Sequence, residues 1–154
     1  MTQRPGYEHT QQGWPMRLSF GLGALVMLVL AAAPLPEISR VPVWALLAGA
    51  ALLLTAGWCF SSLTVRIGGD RITLHFGFGW PSKSVSLAEV ASASVTRTTF
   101  CEGWGVHRTR RGWLYNVSGF DAVIVQRRDG SSLLIGSDEA RRLKAAIERA
   151  LGRG

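Results

Sequence analysis

Two periodicities divide the chain. Between Leu18 and Phe60 apolar residues come in two uncharged runs, Leu18 to Leu35 and Val41 to Phe60, parted by a connector that Pro34, Pro36 and Pro42 bracket. After Ser61 and Ser62 the runs stop, and apolar residues recur at every second position instead. As helices rising ~1.5 Å per residue, the runs would reach roughly 27 Å and 30 Å, close to the ~30 Å hydrocarbon thickness of a bilayer. They predict a transmembrane helical hairpin over residues 18–60. Proline sets the turn, because it lacks the N–H a helix needs and its ring clashes with the preceding turn. In the second run Ala45, Gly49 and Gly57 fall at multiples of four, with Leu53 interrupting. Small residues let helices approach closely in lipid, so this face packs on Gly21, Gly23 or Ala31 to Ala33 of the first run, or joins two copies of the chain.

Leu63, Val65 and Ile67 alternate with Thr64 and Arg66, and Ile72, Leu74 and Phe76 alternate with Arg71, Thr73 and His75. With Gly68, Gly69 and Asp70 between them, these half-buried patterns predict a β-hairpin. Further strands are expected over Lys83 to Leu87, Ala91 to Phe100, Trp113 to Val117, Ala122 to Arg128 and Ser131 to Ile135, the last two joined by an Asp129-Gly130 turn. A single helical turn is expected at Leu87 to Val90, and an irregular loop from Cys101 to Gly112. The period then lengthens: Ala140, Leu143, Ile147, Ala150 and Leu151 form one apolar stripe of a helix, with Ser137 as its N-cap and Asp138 and Glu139 at the positive end of its dipole. Residues 61–152 are therefore expected to form one α+β domain, a curved antiparallel sheet or partial barrel with a C-terminal amphipathic helix. Met1 to Arg17 shows neither period and is expected to be a disordered cytoplasmic tail.

Charge assigns the sides of the membrane. After Phe60, 14 Lys and Arg stand against 8 Asp and Glu, and the tail holds Arg4 and Arg17 against Glu8. Lys and Arg accumulate on the cytoplasmic side of spanning helices, so both termini are expected there. The same excess favours anionic lipid headgroups, and nucleic acid is the poorer fit because topology already accounts for the sign. Cys59 and Cys101 are too few for a disulfide framework and fit a reducing compartment. Ala31 to Ala33 resemble the cleavage site of a secretory signal, but the first run is longer than the ~7 to 15 apolar residues of a signal core, which favours an uncleaved span.

The search for chemistry is largely negative. His9, His75 and His107 lack partners at metal-ligand spacing, and Gly77 and Gly79 lack the context of a nucleotide loop. No serine sits in a Gly-x-Ser-x-Gly elbow, and the apolar runs hold no carboxylate or histidine for intramembrane acid–base work. No cofactor, metal or catalytic residue is expected. Asn116, Val117 and Ser118 match a glycosylation acceptor but read as a strand end on the cytoplasmic side. One segment clusters residues suited to binding: Trp104, His107, Arg108, Arg110 and Arg111. They form a candidate contact for lipid or a partner, because guanidinium groups attract phosphate and indoles favour the headgroup layer. Against that, the arginines read equally as a solvated loop, with Trp113 and Tyr115 filling the core.

The span pair, the hairpin Leu63 to Phe76, the segment GWGVHRTRRGWLYNVSG from Gly103 to Gly119 and the ending IGSDEARRLKAAIERAL from Ile135 to Leu151 resemble bacterial membrane proteins that carry a pleckstrin-homology-like (PH-like) domain after a transmembrane helix pair. The resemblance implies a seven-stranded sheet capped by a helix, in a protein of the bacterial inner membrane. It implies binding or scaffolding without catalysis, and it carries no catalytic residues over. The expected function is a non-enzymatic protein whose cytoplasmic domain binds a protein partner or anionic lipid at the membrane surface. The alternative is a structural or adaptor subunit of a larger membrane assembly.

Overall fold

The computed structural model describes residues 6–33 and 41–152, so the proline turn expected at 34–40 and the first five residues of the expected tail lie outside it. The two apolar runs form helices α1 (Trp14–Ala32) and α2 (Val43–Cys59). α1 begins four residues ahead of the apolar run because Pro15 occupies its first turn, where the missing N–H has no partner to lose and the fixed φ already suits a helix. A Cβ on Gly57 would sit 2.9 Å from Cβ of Phe20, and one on Gly49 would sit 2.6 Å from Sδ of Met27. Rising numbers on α1 thus meet falling numbers on α2, and the helices pack antiparallel through the small face of α2. Their outer surface is apolar: Leu18, Leu22, Leu25, Val29, Trp44 and Leu52 are exposed. α1, at 19 residues, is long and apolar enough to cross a membrane, whereas α2 is apolar but shorter, at 17 residues.

Alternation produces strands as the sequence predicts. Four form one antiparallel sheet in the order β1 (Tyr7–Gln12), β2 (Ser62–Gly68), β3 (Arg71–Phe76) and β4 (Ser82–Ser86). Five form a second, in the order β5 (Val90–Arg97), β8 (Asp121–Arg127), β9 (Ser132–Gly136), β7 (Gly112–Asn116) and β6 (Gly105–Thr109). A 3-10 turn over Leu87–Glu89 leads from one sheet into the other. The domain is α+β with two sheets rather than one, and β7 runs parallel to β9, so the second sheet is mixed. The inward residues of both sheets share one core, from Leu63, Ile72, Leu74 and Phe76 to Val117, Val123, Val125 and Ile135. Helix α3 (Ala140–Leu151) packs on β5, β8 and β2 and buries Leu143, Ala146 and Ile147, bridging the sheets. Leu143 and Ile147 each stabilise the fold by ~1.5–3 kcal/mol on burial.

Several expectations are corrected. The tail is not wholly disordered, since Tyr7–Gln12 form β1 and pair with β2 from Tyr7↔Ile67 to Gln12↔Ser62. Its period of two escaped notice because the inward positions are Tyr7, His9 and Gln11 rather than aliphatic residues. Polar cross-strand pairs hold it: Arg66 donates to Glu8 at 2.7 Å, and the hydroxyls of Thr10 and Thr64 meet at 2.7 Å. His9 reaches Asp138 at 2.6 Å, tying β1 to the residues ahead of α3. The expected loop at Cys101 to Gly112 contains a 3-10 turn, Phe100–Glu102, and the strand β6. Tyr115 is buried, but Trp113 is 49% exposed and does not fill the core. Ser137 lies ahead of the N-cap, which is Glu139, and its hydroxyl accepts the Glu139 N–H at 3.1 Å. Asn116 ends β7 as expected, fully buried.

Two glycines join helices to sheets. The Gly13 N–H donates to the Ser61 carbonyl at 2.8 Å, and the Gly77 N–H donates to Ser62 at 3.0 Å. A Cβ on Gly13 would stand 2.6 Å from the Phe60 carbonyl oxygen, and one on Gly77 would stand 2.6 Å from that of Cys59. Neither position has room for a side chain.

Deleting Met1 to Gln12 is expected to lower the unfolding free energy of the full chain by about 2–4 kcal/mol, since cross-strand pairs contribute ~0.2–1 kcal/mol each. A thermal melt in detergent checks this, and an unchanged midpoint would mean that β1 contributes nothing.

Candidate anion-binding site

The sequence Thr99-Phe100-Cys101-Glu102 is a capping box: the Thr99 N–H donates to Glu102 Oε2 at 2.8 Å, which starts the 3-10 turn and fixes the carboxylate. The chain then enters β6, turns through Arg110 and Arg111, and returns as β7. Thr109 holds the turn by accepting the Arg111 N–H at 3.1 Å and donating its hydroxyl hydrogen to the Gly112 carbonyl at 2.9 Å. Between the capping box and this turn lies a concavity of about 750 Å³. Arg97, Arg108, Arg110 and Arg111 line it, with His107, Glu102 and Thr99.

These cations are not equivalent. Arg111 is committed to the fold: Nε and Nη2 donate to Glu102 Oε1 at 3.0 and 2.9 Å, and Nη2 reaches Oε2 at 2.7 Å. Nη1 donates to the Thr96 hydroxyl at 2.9 Å and Nη2 to the Arg97 carbonyl at 3.0 Å. Because β5 and β6 are opposite edges of one sheet, a side chain from the β6–β7 turn that bonds to the end of β5 draws those edges together. The sheet curls, which is what makes the site concave. Partial burial pushes the Glu102 carboxyl up, but the Thr99 N–H and the Arg111 guanidinium together hold it below the usual glutamate range. His107 Nε2 donates to the Glu102 carbonyl and braces the same turn. Arg97 lies 3.3 Å from Asp121 in an exposed pair. Arg108 and Arg110 are exposed and, among the described residues, have no ion-pair partner.

The structure therefore splits the cluster seen in the sequence. His107, Arg108, Arg110 and Arg111 come together, joined by Arg97 and Thr99, which sequence reading missed although the T-x-x-E spacing was there to be read. Trp104 stands apart, its Nε1–H donating to the Gly119 carbonyl at 3.1 Å and its ring 6.5 Å from that of Phe120. A second cleft of about 570 Å³ lies where the helices meet the first sheet, lined by Phe20, Leu54, Trp58 and Phe78, with Arg17 at its edge. The Arg17 guanidinium stacks 5.2 Å from the Trp14 ring centre and donates to Gln12 at 2.9 Å. Among the described residues, no three His, Cys, Asp or Glu side chains converge as metal ligands would.

No protein-family model matches the chain, and no curated protein matches it, so the chemistry of the site rests on its geometry. That geometry suits a carboxylate or phosphate: two uncompensated guanidinium groups, able to bind such anions in two-pronged fashion, stand over a wall that Arg111 and Glu102 hold fixed.

Arg111→Ala is expected to cost about 1.5–3 kcal/mol of stability, as hydrogen bonds to charged groups do, whereas Arg108→Ala and Arg110→Ala should stay within ~0.5 kcal/mol. Chemical denaturation of the three variants distinguishes them. Acid gives a second test. The Glu102 carboxyl is lowered in the folded state, so its stabilisation is complete above the ordinary value of 4.5 and is lost as pH falls below that value and through the lowered one. Glu102→Gln should be less stable than the parent at pH 7 and should lose less on acidification, as read from unfolding midpoints across that range.

Proposed function

We propose that this is a non-enzymatic membrane-anchored binding protein, its helix pair spanning a bacterial inner membrane as a hairpin and its PH-like domain on the cytoplasmic side with both termini. Strand order supports the hairpin. β1 precedes α1, β2 follows α2, and the two pair along their whole length, so both ends of the helix pair lie on one side. If α1 crosses, α2 has to return. At ~1.5 Å per residue α2 alone would reach about 26 Å, slightly short of the ~30 Å hydrocarbon layer, a mismatch that a membrane absorbs by local thinning. The excess of Lys and Arg after Phe60 supports a cytoplasmic domain.

The ligand is an anionic group, and the uncompensated pair Arg108 and Arg110 over the curled edge of the second sheet is the observation that carries this reading. β6 starts beside α1 and runs five residues to the arginine turn, so at ~3.4 Å per residue the turn stands up to about 14 Å from the helix end. That exceeds the ~8–10 Å over which a charged surface acts at physiological salt, which favours an acidic segment of a protein partner over a bulk lipid surface. An anionic lipid headgroup is the second reading, because paired guanidinium groups hold a phosphate as readily as a carboxylate. The adaptor role through helix packing has less support, because Gly49 and Gly57 are already used within the pair.

With the full chain in nanodiscs of zwitterionic lipid, a fluorescent oligoglutamate peptide is expected to bind in a salt-sensitive way by anisotropy. Arg108→Gln combined with Arg110→Gln should weaken it at least tenfold, about 1.4 kcal/mol. Adding anionic lipid to the disc tests the source: displacement of the peptide supports the headgroup. Equal binding by parent and double variant would rule out this concavity as the site.

A further inference from the structure

We infer that the domain lies down on the bilayer with one defined face, an aromatic rim formed by three loops at the end where the helices enter. The first is the β3–β4 connection, where Phe78 and Trp80 are 76% and 72% exposed. The second is the β5–β6 connection, with Phe100 at 80% exposure and Trp104 half-buried near it. The third is the β7–β8 connection, which carries Phe120. Side chains of this size normally leave water, and three separate loops present them together.

Their common position follows from strand direction and from contacts. β3 returns to the helix end, where the ring of Phe78 stacks on Trp58 of α2 at 5.4 Å. The second sheet arrives by a different route. Ser118 donates its hydroxyl hydrogen to the Gln12 carbonyl at 2.9 Å, and the Gln11 amide donates to the Ser118 carbonyl at 2.9 Å, which fixes the β7–β8 loop against the residues just ahead of α1. The Thr98 N–H donates to the Phe120 carbonyl at 2.6 Å and holds the β5–β6 loop beside it. A Cβ on Gly105, the neighbour of Trp104, would lie 3.9 Å from the methyl of Met16, in the first turn of α1. Met16 precedes the apolar run by two residues, about 3 Å of helix axis. Trp104 therefore stands near the level where the apolar surface of α1 begins, with Arg17 the one charged residue between Met16 and that surface.

The loops at the opposite end are built differently. Gly69 and Asp70, Arg110 and Arg111, and Asp129 and Gly130 form the turns there, with no exposed large apolar side chain among them. Exposed aromatic side chains are thus concentrated at the helix end, with Trp113, 49% exposed beside the arginine turn, as the exception. Indole and phenyl rings favour the headgroup layer, and the occupant of this rim is the bilayer that holds the helices, in continuity with their own surface. This inference rests on the reading that α1 and α2 lie in a membrane.

The test uses the full chain in zwitterionic liposomes with one spin label per variant. On a Cys59→Ser, Cys101→Ser background, Phe78→Cys, Phe100→Cys, Asp70→Cys, Arg128→Cys and Leu25→Cys report on the rim, the far end and α1. Labels at 78 and 100 are expected to favour oxygen over a water-soluble nickel chelate by at least threefold relative to 70 and 128, and Trp80→Ser should shift the label at 78 towards the chelate. If the label at 25 is in lipid while those at 78 and 100 match 70 and 128, the rim is overturned and the membrane reading survives. A label at 25 open to the chelate overturns both. Shielding from both reagents with dipolar broadening would mean that a second copy covers the rim, which also overturns the inference.

Discussion

The meeting of Gly13 with Ser61 is the constraint on which the rest depends. A single N–H···O bond at 2.8 Å closes the base of the helix pair, and both flanking segments are already in regular structure: β1 ends at Gln12, α1 begins at Trp14, α2 ends at Cys59 and β2 begins at Ser62. There is no linker to absorb rotation. Gly77 adds a third backbone to the same point, and Phe60 carries the contact inward by meeting Phe76 edge-on at 5.4 Å between ring centres. Any tilt of the helices is passed to the first sheet and, through Phe76 and Tyr115, to the second. The domain cannot swing on the helix pair as a tethered module would.

Charge on the second sheet follows a similar economy of parts. Glu102 is fixed twice, by the capping box that starts its turn and by the guanidinium of Arg111, which has donors left over for the end of β5. One arginine thereby shapes the site in which its neighbours remain unpaired. Residues that look alike in the sequence segment RTRR have been given different tasks, and only the fold says which is which.

Most of the framework was legible because apolar periodicity reports burial directly. The helices α1, α2 and α3, and the strands β2, β3, β5, β7, β8 and β9, all follow from it to within a few residues. β1 was hidden because its inward residues are Tyr7, His9 and Gln11, of which His9 bonds to Asp138 and Gln11 to the Ser118 carbonyl, so alternation in hydropathy is absent where alternation in burial is present. β6 was hidden for a related reason: its one charged residue, Arg108, lines the concavity, and a strand of Gly, Val, His, Arg and Thr has little apolar contrast. Of the site, the basic cluster was visible but its inner division was not. Arg111 finds its partners nine and fifteen residues back, at Glu102 and Thr96, and spacing alone does not fix which of several arginines reaches them.

The pairing of β1 with β2 has a consequence for synthesis. In a sheet, adjacent antiparallel strands are usually joined by a few residues, and here the helix pair takes the place of that turn. β1 is made before its partner, and the pairing waits until the second helix is complete and Ser62 to Gly68 has been added. If the pair spans a membrane as proposed, a chain inserted only halfway would leave the two strands on opposite faces and the edge of β2 bare. Closing the first sheet would then require that α2 has turned back.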